Sequence, residues 1–527
     1  MSRRGAQAAS HERSSQGKTD RNAQGKTDRN AQGADPNAQG FADRIARRVV
    51  PFVLAAGCAL AVTSAEAQGA TPLPLTWAAL AADAPVRAPV LASDSPAQAQ
   101  AQPSYLIPAA EIVGFDVLLN IFDRYHYGDE FKSNLSTIRR NLRSSWSNDR
   151  DPFQVNQLGH PYQGSMYHGF ARSSGHDFWT SLGYTFAGSA FWEIAGEVTP
   201  PSRNDQITTG IGGAFFGESL FRLAHLVLEQ DQIPPFWREL AAAAVSPATG
   251  FNRLVYGDRY DALFASRNPA HYSRLQVGFS GTAENNSGTA TTKLRPNEAL
   301  VDFSIDYGLP GQPGYAYKRP FDYFAFQATA SSANGFENLL TRGLLVGRPL
   351  EYGDRFRGIW GLYGSYDFIY PQTFRVAATA LSLGTTGQVW LSNNVALQGT
   401  ALAGVGYASV GSVRSNFDGD YHYGLAPQAL LATRLILGDR ASIDLTAREY
   451  FLTRVAAAER GGHDNIVRVE AALIWRVHGR HGIGVRYLAN RRDATYPDVG
   501  DVTQSRSTIG VFYTLLGRER FSAVDWR

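Results

Sequence analysis

The chain has 527 residues, of which 12% are aromatic and 52 are glycine, and its formal net charge is +3. That length is enough for two domains and a sizeable core. The small net charge, with no basic block, excludes nucleic acid as a partner. Aromatic and glycine content suits many strands and tight turns better than a helical bundle.

Residues 1–40 carry a near-repeat, QGKTDRNA twice and then QGADPNA. It is polar, lacks apolar periodicity and reads as disordered. Arg44, Arg47 and Arg48, the apolar run Val49 to Val62 and Ala65-Glu66-Ala67 follow in the order of a secretory signal, with cleavage after Ala67. Cys58 is the single cysteine. Its Ala-Ala-Gly-Cys context loosely resembles a lipoprotein box, but leucine is displaced by one position, so the simpler reading is a cysteine inside a discarded signal. Residues 68–110, rich in Ala, Pro and Gln, read as a flexible linker.

A helical domain is expected over 111–245. The apolar segment from Glu111 to Tyr125 reads as a short helix or strand, and residues 129–152 as loop. One helix is expected from Ser174, with Asp177 three residues on, to about Val198, and a second from Ser202, with Asp205 three residues on, to about Gln230. Paired prolines follow each of them. Small residues four apart (Gly183 and Ala187; Gly210 and Ala214; Gly213 and Gly217) predict close packing of these two helices. A further helix is expected over Phe236 to Ala244, with a boundary near Pro247.

From residue 246 the pattern changes to period two. Val301, Phe303, Ile305 and Tyr307 alternate with Asp302, Ser304 and Asp306; Val467 to Trp475, Leu275 to Phe279, Ile443 to Ala447 and Ile509 to Tyr513 behave alike. Segments of about ten residues with flanking Tyr or Trp carry the signature of an outer-membrane-type antiparallel β-barrel over 246–527, of roughly twelve strands. Arg, Asp and Glu fall on the lumen side, and their mixed signs predict a cross-linked interior.

The segments FQVNQLGHPYQGSMYHGFAR, FWTSLGYTFAGSAFWEIAGE, PPSRND and GGAFFGESLFR, and more loosely LGTTGQVWLSNNVALQGTALAGVGY from Leu383, resemble the domain-of-unknown-function family numbered 3943 of Gram-negative bacteria. The resemblance implies an exported, outer-membrane setting and no activity. One departure stands out: the chain closes on Asp525-Trp526-Arg527, not on the aromatic residue common at the end of such barrels.

Six residues in or beside the helices form the candidate site: His160, Arg172, Glu193, Glu197, Glu218 and Arg222. They are expected to make one buried cluster between the two helices and the HPYQG turn. Hydrolase chemistry would take His160 or His168 as base, Ser165 or Tyr167 as hydroxyl and Arg172 or Arg222 as clamp. A metal would draw on His160, Glu193, Glu197 and Glu218. The structural alternative explains Asp177 and Asp205 as caps, Glu218 with Arg222 as an i,i+4 pair and His160-Pro161-Tyr162 as a turn, and it is preferred; no cofactor or metal is expected. HExxH, GxSxG and phosphate-loop motifs do not occur. Three functions therefore stand open: an outer-membrane barrel braced or plugged by helices, an enzyme acting on envelope lipid or glycan, and a module binding a periplasmic protein. Outer-membrane lipid is the expected surrounding.

Overall fold

The computed structural model describes residues 103–527 apart from 127, 150, 288–293, 413–420, 454–461, 498–499 and 519–520. The expected signal, Cys58 and most of the expected linker lie outside the described residues. Helix α1 (Leu106–His126) begins inside that linker, and α2 (Leu135–Asn141) sits in the stretch expected to be loop, with Asn134 capping it. Helices α3 (His160–Ser173), α4 (Phe178–Ala195), α5 (Arg203–Ile207), α6 (Gly213–Leu228), α7 (Pro235–Val245) and α8 (Pro247–Tyr256) follow.

Three expectations are corrected. The segment HPYQG is not a turn: it is the first turn of α3, which continues directly from a π-helical turn at Val155–Gly159, and Pro161 stands next to that wider turn. The cap of α4 is Asp177, which accepts from Thr180 N, and Ser174 instead ends α3. Pro247 opens α8 rather than the barrel, whose first strand starts at His271. Ser202 caps α5 as expected, and a second π turn at Thr208–Gly212 joins α5 to α6. The resulting 26-residue helix, Arg203–Leu228, is long and apolar enough to cross a membrane, which the sequence reading did not anticipate, and it is mostly buried within the protein.

Twelve strands close into an antiparallel barrel in sequence order, β12 returning to β1. They are β1 (His271–Asn286), β2 (Asn297–Tyr307), β3 (Phe324–Ser331), β4 (Asn338–Tyr352), β5 (Phe356–Ile369), β6 (Phe374–Trp390), β7 (Val395–Ser412), β8 (Tyr421–Leu437), β9 (Ala441–Leu452), β10 (His463–His478), β11 (His481–Tyr496) and β12 (Gly500–Leu516). Directly paired residues share a face, so register separates inside from outside. One row runs Arg274, Ser304, Gln327, Leu340, Asp367 and Ala378 across β1 to β6. The adjacent row runs Leu275, Phe303, Ala328, Leu339, Phe368 and Ala377.

The first row faces the lumen, which is cross-linked as its mixed signs predict. Arg434 on β8 reaches Asp306 on β2, six strands away, at 3.1 Å, and also Asp444 at 3.2 Å. Arg274 pairs with Asp444 at 2.5 Å, Arg492 with Asp464 at 2.6 Å and Arg506 with Glu298 at 2.8 Å. A cavity of about 120 Å³ is left beside Arg274, Asp306, Arg434 and Asp444. At one end the lumen is filled by Phe374, Val376, Val410, Tyr450, Leu452 and Ile466. At the other the C-terminal segment crosses it: Phe521 packs on Tyr272, and Val524 bonds Gln388 through both its N–H and its carbonyl.

The helices do not plug this barrel; they brace it from outside. Arg203–Leu228 lies across the second row of residues. Asn204 donates to the Tyr423 hydroxyl on β8 at 2.8 Å, Phe216 packs on Tyr366 of β5 and Phe326 of β3, and Ser219 bonds Thr341 of β4 at 2.5 Å. Phe215 fills the space that a side chain at Gly364 would take. Against its other side pack α3, at Gly213 and Gly217, and α4, as expected, at Gly210, where a Cβ would stand 2.8 Å from the Phe186 ring. A Cβ at Gly213 would stand 2.6 Å from the Gly164 Cα, and one at Gly217 2.9 Å from the His168 Cβ, whereas Gly183 on α4 faces open space. Gly213→Leu should therefore overpack the α3 crossing and cost about 1–3 kcal/mol or more, read as earlier thermal unfolding and faster proteolysis of the helices, while Gly183→Leu leaves both unchanged. Equal stability of the two variants would show that the crossing tolerates side chains.

Candidate functional site

The six candidate residues are all buried but fall into two groups. Arg172, Glu218 and Arg222 form the first. The Glu218 carboxylate accepts from Arg172 Nε at 2.6 Å and from Arg222 Nε at 2.8 Å, and His168 Nε2 lies 3.1 Å away. Arg222 continues to Asp322 of the β2–β3 loop at 3.3 Å and donates to the Pro320 carbonyl. Asp322 also accepts from Arg267 and Arg319 and from the backbone of Lys318 and Arg319. Burial raises the Asp322 pKa, but Arg222 and Arg319 outweigh it and hold the carboxyl below its ordinary value. The guanidinium of Arg172 lies over Phe221, and those of Arg222 and Arg319 over Phe264, so the cations are satisfied by carboxylate and ring faces alike. This relay ties α3 and α6 to the barrel.

His160 and Glu193 belong to the second group, together with Asp205, which sequence reading assigned only to capping. One ligand atom from each of these three lies within 4.8 Å of the others. His160 is the first residue of α3, Glu193 is in the last turn of α4, and Asp205 is in α5, so three helix ends converge. Ser202 N donates to Glu193 Oε2 at 2.7 Å, Asn204 Nδ2 to Asp205 Oδ1 at 3.0 Å, and Thr209 Oγ1 meets His160 Nδ1 at 3.1 Å. Glu193 Oε1 is buried without a hydrogen-bond partner.

Around the three lie more carboxylates. Glu197 accepts from Trp192 Nε1 at 2.8 Å and Thr199 at 3.1 Å, and burial, then Asp149, push its pKa up to about 7. Burial, followed by the charges of Asp149, Glu197 and Glu130, holds Asp151 well above the usual carboxylate range. Asp149 accepts from Asn156 at 2.6 Å, and Asn156 also reaches the Tyr421 and Tyr423 hydroxyls of β8. The barrel wall thus helps to position this group. Among the described residues no lysine or arginine forms an ion pair with Asp149, Asp151, Glu193, Glu197 or Asp205.

The hydroxyls weighed as nucleophiles are occupied elsewhere. Ser165 donates to the Tyr162 carbonyl at 2.6 Å, and Tyr167 donates to Asp116. His168 belongs with Glu218, not with His160, which lies two turns earlier on the same helix. What sequence reading missed was Asp205, Asp149 and Asp151. Their signal was the density of Asp and Asn just before Phe153 and around Ser202, in a chain whose helices are otherwise apolar.

Among solved structures, the chain is similar to the NanC porin at 7% identity, covering 45% of this chain and 98% of that one, with a TM-score of 0.23. It is similar to the outer membrane channel DcaP of Acinetobacter baumannii at 9% identity, with 46% and 96% covered and a TM-score of 0.22. The KdgM porin gives 8% identity, 46% and 98% covered and 0.21. No curated protein matches the sequence. Residues 145–248, which carry α3 to α7 and both polar groups' helical members, match the family described as Domain of unknown function (DUF3943).

Proposed function

We propose that this protein resides in an outer membrane and uses its barrel as a closed wall that braces a lipid-facing helical domain, not as a conduit. The observation that carries the reading is the inversion of the helices. Helix α1 buries Glu111, Asp116, Asn120 and Asp123 and exposes Val113, Val117, Leu118, Ile121 and Phe122. Helix α4 buries Ser181, Thr185, Ser189 and Glu193 while exposing Trp179, Phe186 and Phe191. A water-facing helix is patterned the other way.

The barrel surface agrees with that inversion: Val277, Phe279, Leu445, Trp475, Ile483, Val485, Ile509, Val511 and Tyr513 are exposed on its outer face. Apolar exteriors on sheet and helices together suit hydrocarbon around both. Phe236, Trp237, Leu254 and Val255 extend the apolar surface onto α7 and α8. A periplasmic partner would need only one such patch, and several helices share this one with the wall, which favours lipid. The cross-lumen bridges and the filled ends support the absence of transport. An enzyme built on His160, Glu193, Glu197 and Arg222 acting together is not supported, because Arg222 sits in the other group.

Two outcomes test the reading. A spin label at Leu118→Cys, a position 69% exposed, is expected to be accessible to oxygen and shielded from a water-soluble nickel chelate in proteoliposomes of the purified protein. The reverse pattern would place α1 in water. For the brace, Glu218→Gln leaves Arg172 and Arg222 without their shared anion and should destabilise the helical layer by about 3–5 kcal/mol, releasing it to protease while the barrel keeps its heat-modifiable mobility. Unaltered protease resistance would mean that the relay does not hold the helices to the wall.

A further inference from the structure

The geometry points to a divalent-cation site formed by His160, Glu193 and Asp205, taking one first-row transition ion with mixed nitrogen and oxygen coordination. Each of the three residues has one polar atom held by a neighbour. Thr209 engages His160 Nδ1, Ser202 N holds Glu193 Oε2 and Asn204 holds Asp205 Oδ1, and Glu193 Oε1 is left without a partner. Outer hydrogen bonds that fix the ligating atoms in this way are the usual support of a metal centre.

The second, independent observation is Glu193 itself. It is 1% exposed, and its Oε1 has no hydrogen-bond partner although it belongs to the group whose ligand atoms lie within 4.8 Å of one another. An unsatisfied buried carboxylate oxygen is expensive. A cation at the centre of the three satisfies it. Asp149, Asp151 and Glu197 supply further carboxylates nearby, and no lysine or arginine among the described residues forms an ion pair with them. An imidazole with two carboxylates suits Zn²⁺, Mn²⁺ or Fe²⁺ better than Mg²⁺ or Ca²⁺, which take oxygen shells of six or more. Three protein ligands leave a further coordination position for water or for an anionic group.

This inference does not depend on where the protein resides, so its failure leaves the lipid-facing reading intact. The full chain, purified in detergent and treated with a chelator, is titrated with Zn²⁺ and with Ca²⁺, and bound metal is measured after desalting. One Zn²⁺ per chain with at least about tenfold preference over Ca²⁺ is expected, along with a rise in the unfolding temperature of the helices. Asp205→Asn and Glu193→Gln should abolish retention while the barrel stays heat-modifiable. Should those variants not fold, Thr209→Val decides: it keeps all three ligands and loses only the outer hydrogen bond, and affinity should fall about 10- to 100-fold. Folded wild-type protein that retains less than a tenth of an equivalent of Zn²⁺, carboxylate variants that bind as it does, or an unchanged affinity in Thr209→Val would each overturn the site.

Discussion

An apolar exterior on both the sheet and the helices is the constraint on which the remaining architecture depends, because it turns the charges of the packed layers inward. In the barrel this means the lumen, where arginines from β8, β11 and β12 meet carboxylates from β2, β9 and β10. In the helical layer it means the interface between helices and wall. Desolvated charges are tolerable there only when paired or hydrogen-bonded. The Arg172–Glu218–Arg222–Asp322 relay meets that condition with side chains from α3, α6 and the β2–β3 loop at once.

Close approach makes the pairing feasible. Gly164 and Gly213 let α3 and the long helix touch backbone to backbone, and that contact brings His168 and Arg172 of one helix within reach of Glu218 on the other. Gly364 does the same between helix and wall by admitting Phe215. The wall also reaches into the helical layer: Tyr421 and Tyr423 of β8 accept hydrogen bonds from Asn156 and Asn204, which in turn hold Asp149 and Asp205. The helical region that precedes the barrel in the chain is thus chemically continuous with its wall.

Much of the barrel was legible because its signal is local. Alternation in stretches such as Val301–Tyr307 and Ile509–Tyr513 gave strands, their number and a mixed-charge lumen. The place of the helices was not legible, since an inward and an outward row look alike until register assigns Phe303 to one and Asp302 to the other. HPYQG was misread because Gly and Pro are turn residues in most contexts, whereas here Pro161 occupies the first turn of a helix and Gly164 a helix crossing. Asp205 was set aside because a residue three places after Ser202 already had an explanation. Local chemistry accounted for its backbone N–H, which bonds Ser202, but not for its carboxylate.

The two polar groups differ in a way that local rules do not explain. The same layer that supplies Arg172, Arg222, Arg267 and Arg319 to balance Glu218 and Asp322 places no described cation beside Glu193 and Asp205. Both environments are equally dry: Glu218 is 0% exposed and Glu193 1%. Among the described residues, burial is solved by pairing in one group and by outer hydrogen bonds in the other, so the second group's charge has no described counter-cation. Protons can meet it, one per carboxylate, but a proton on Glu193 would still need an acceptor for the Oε1 that Ser202 does not reach. A divalent ion needs none, and it draws on all three residues at once.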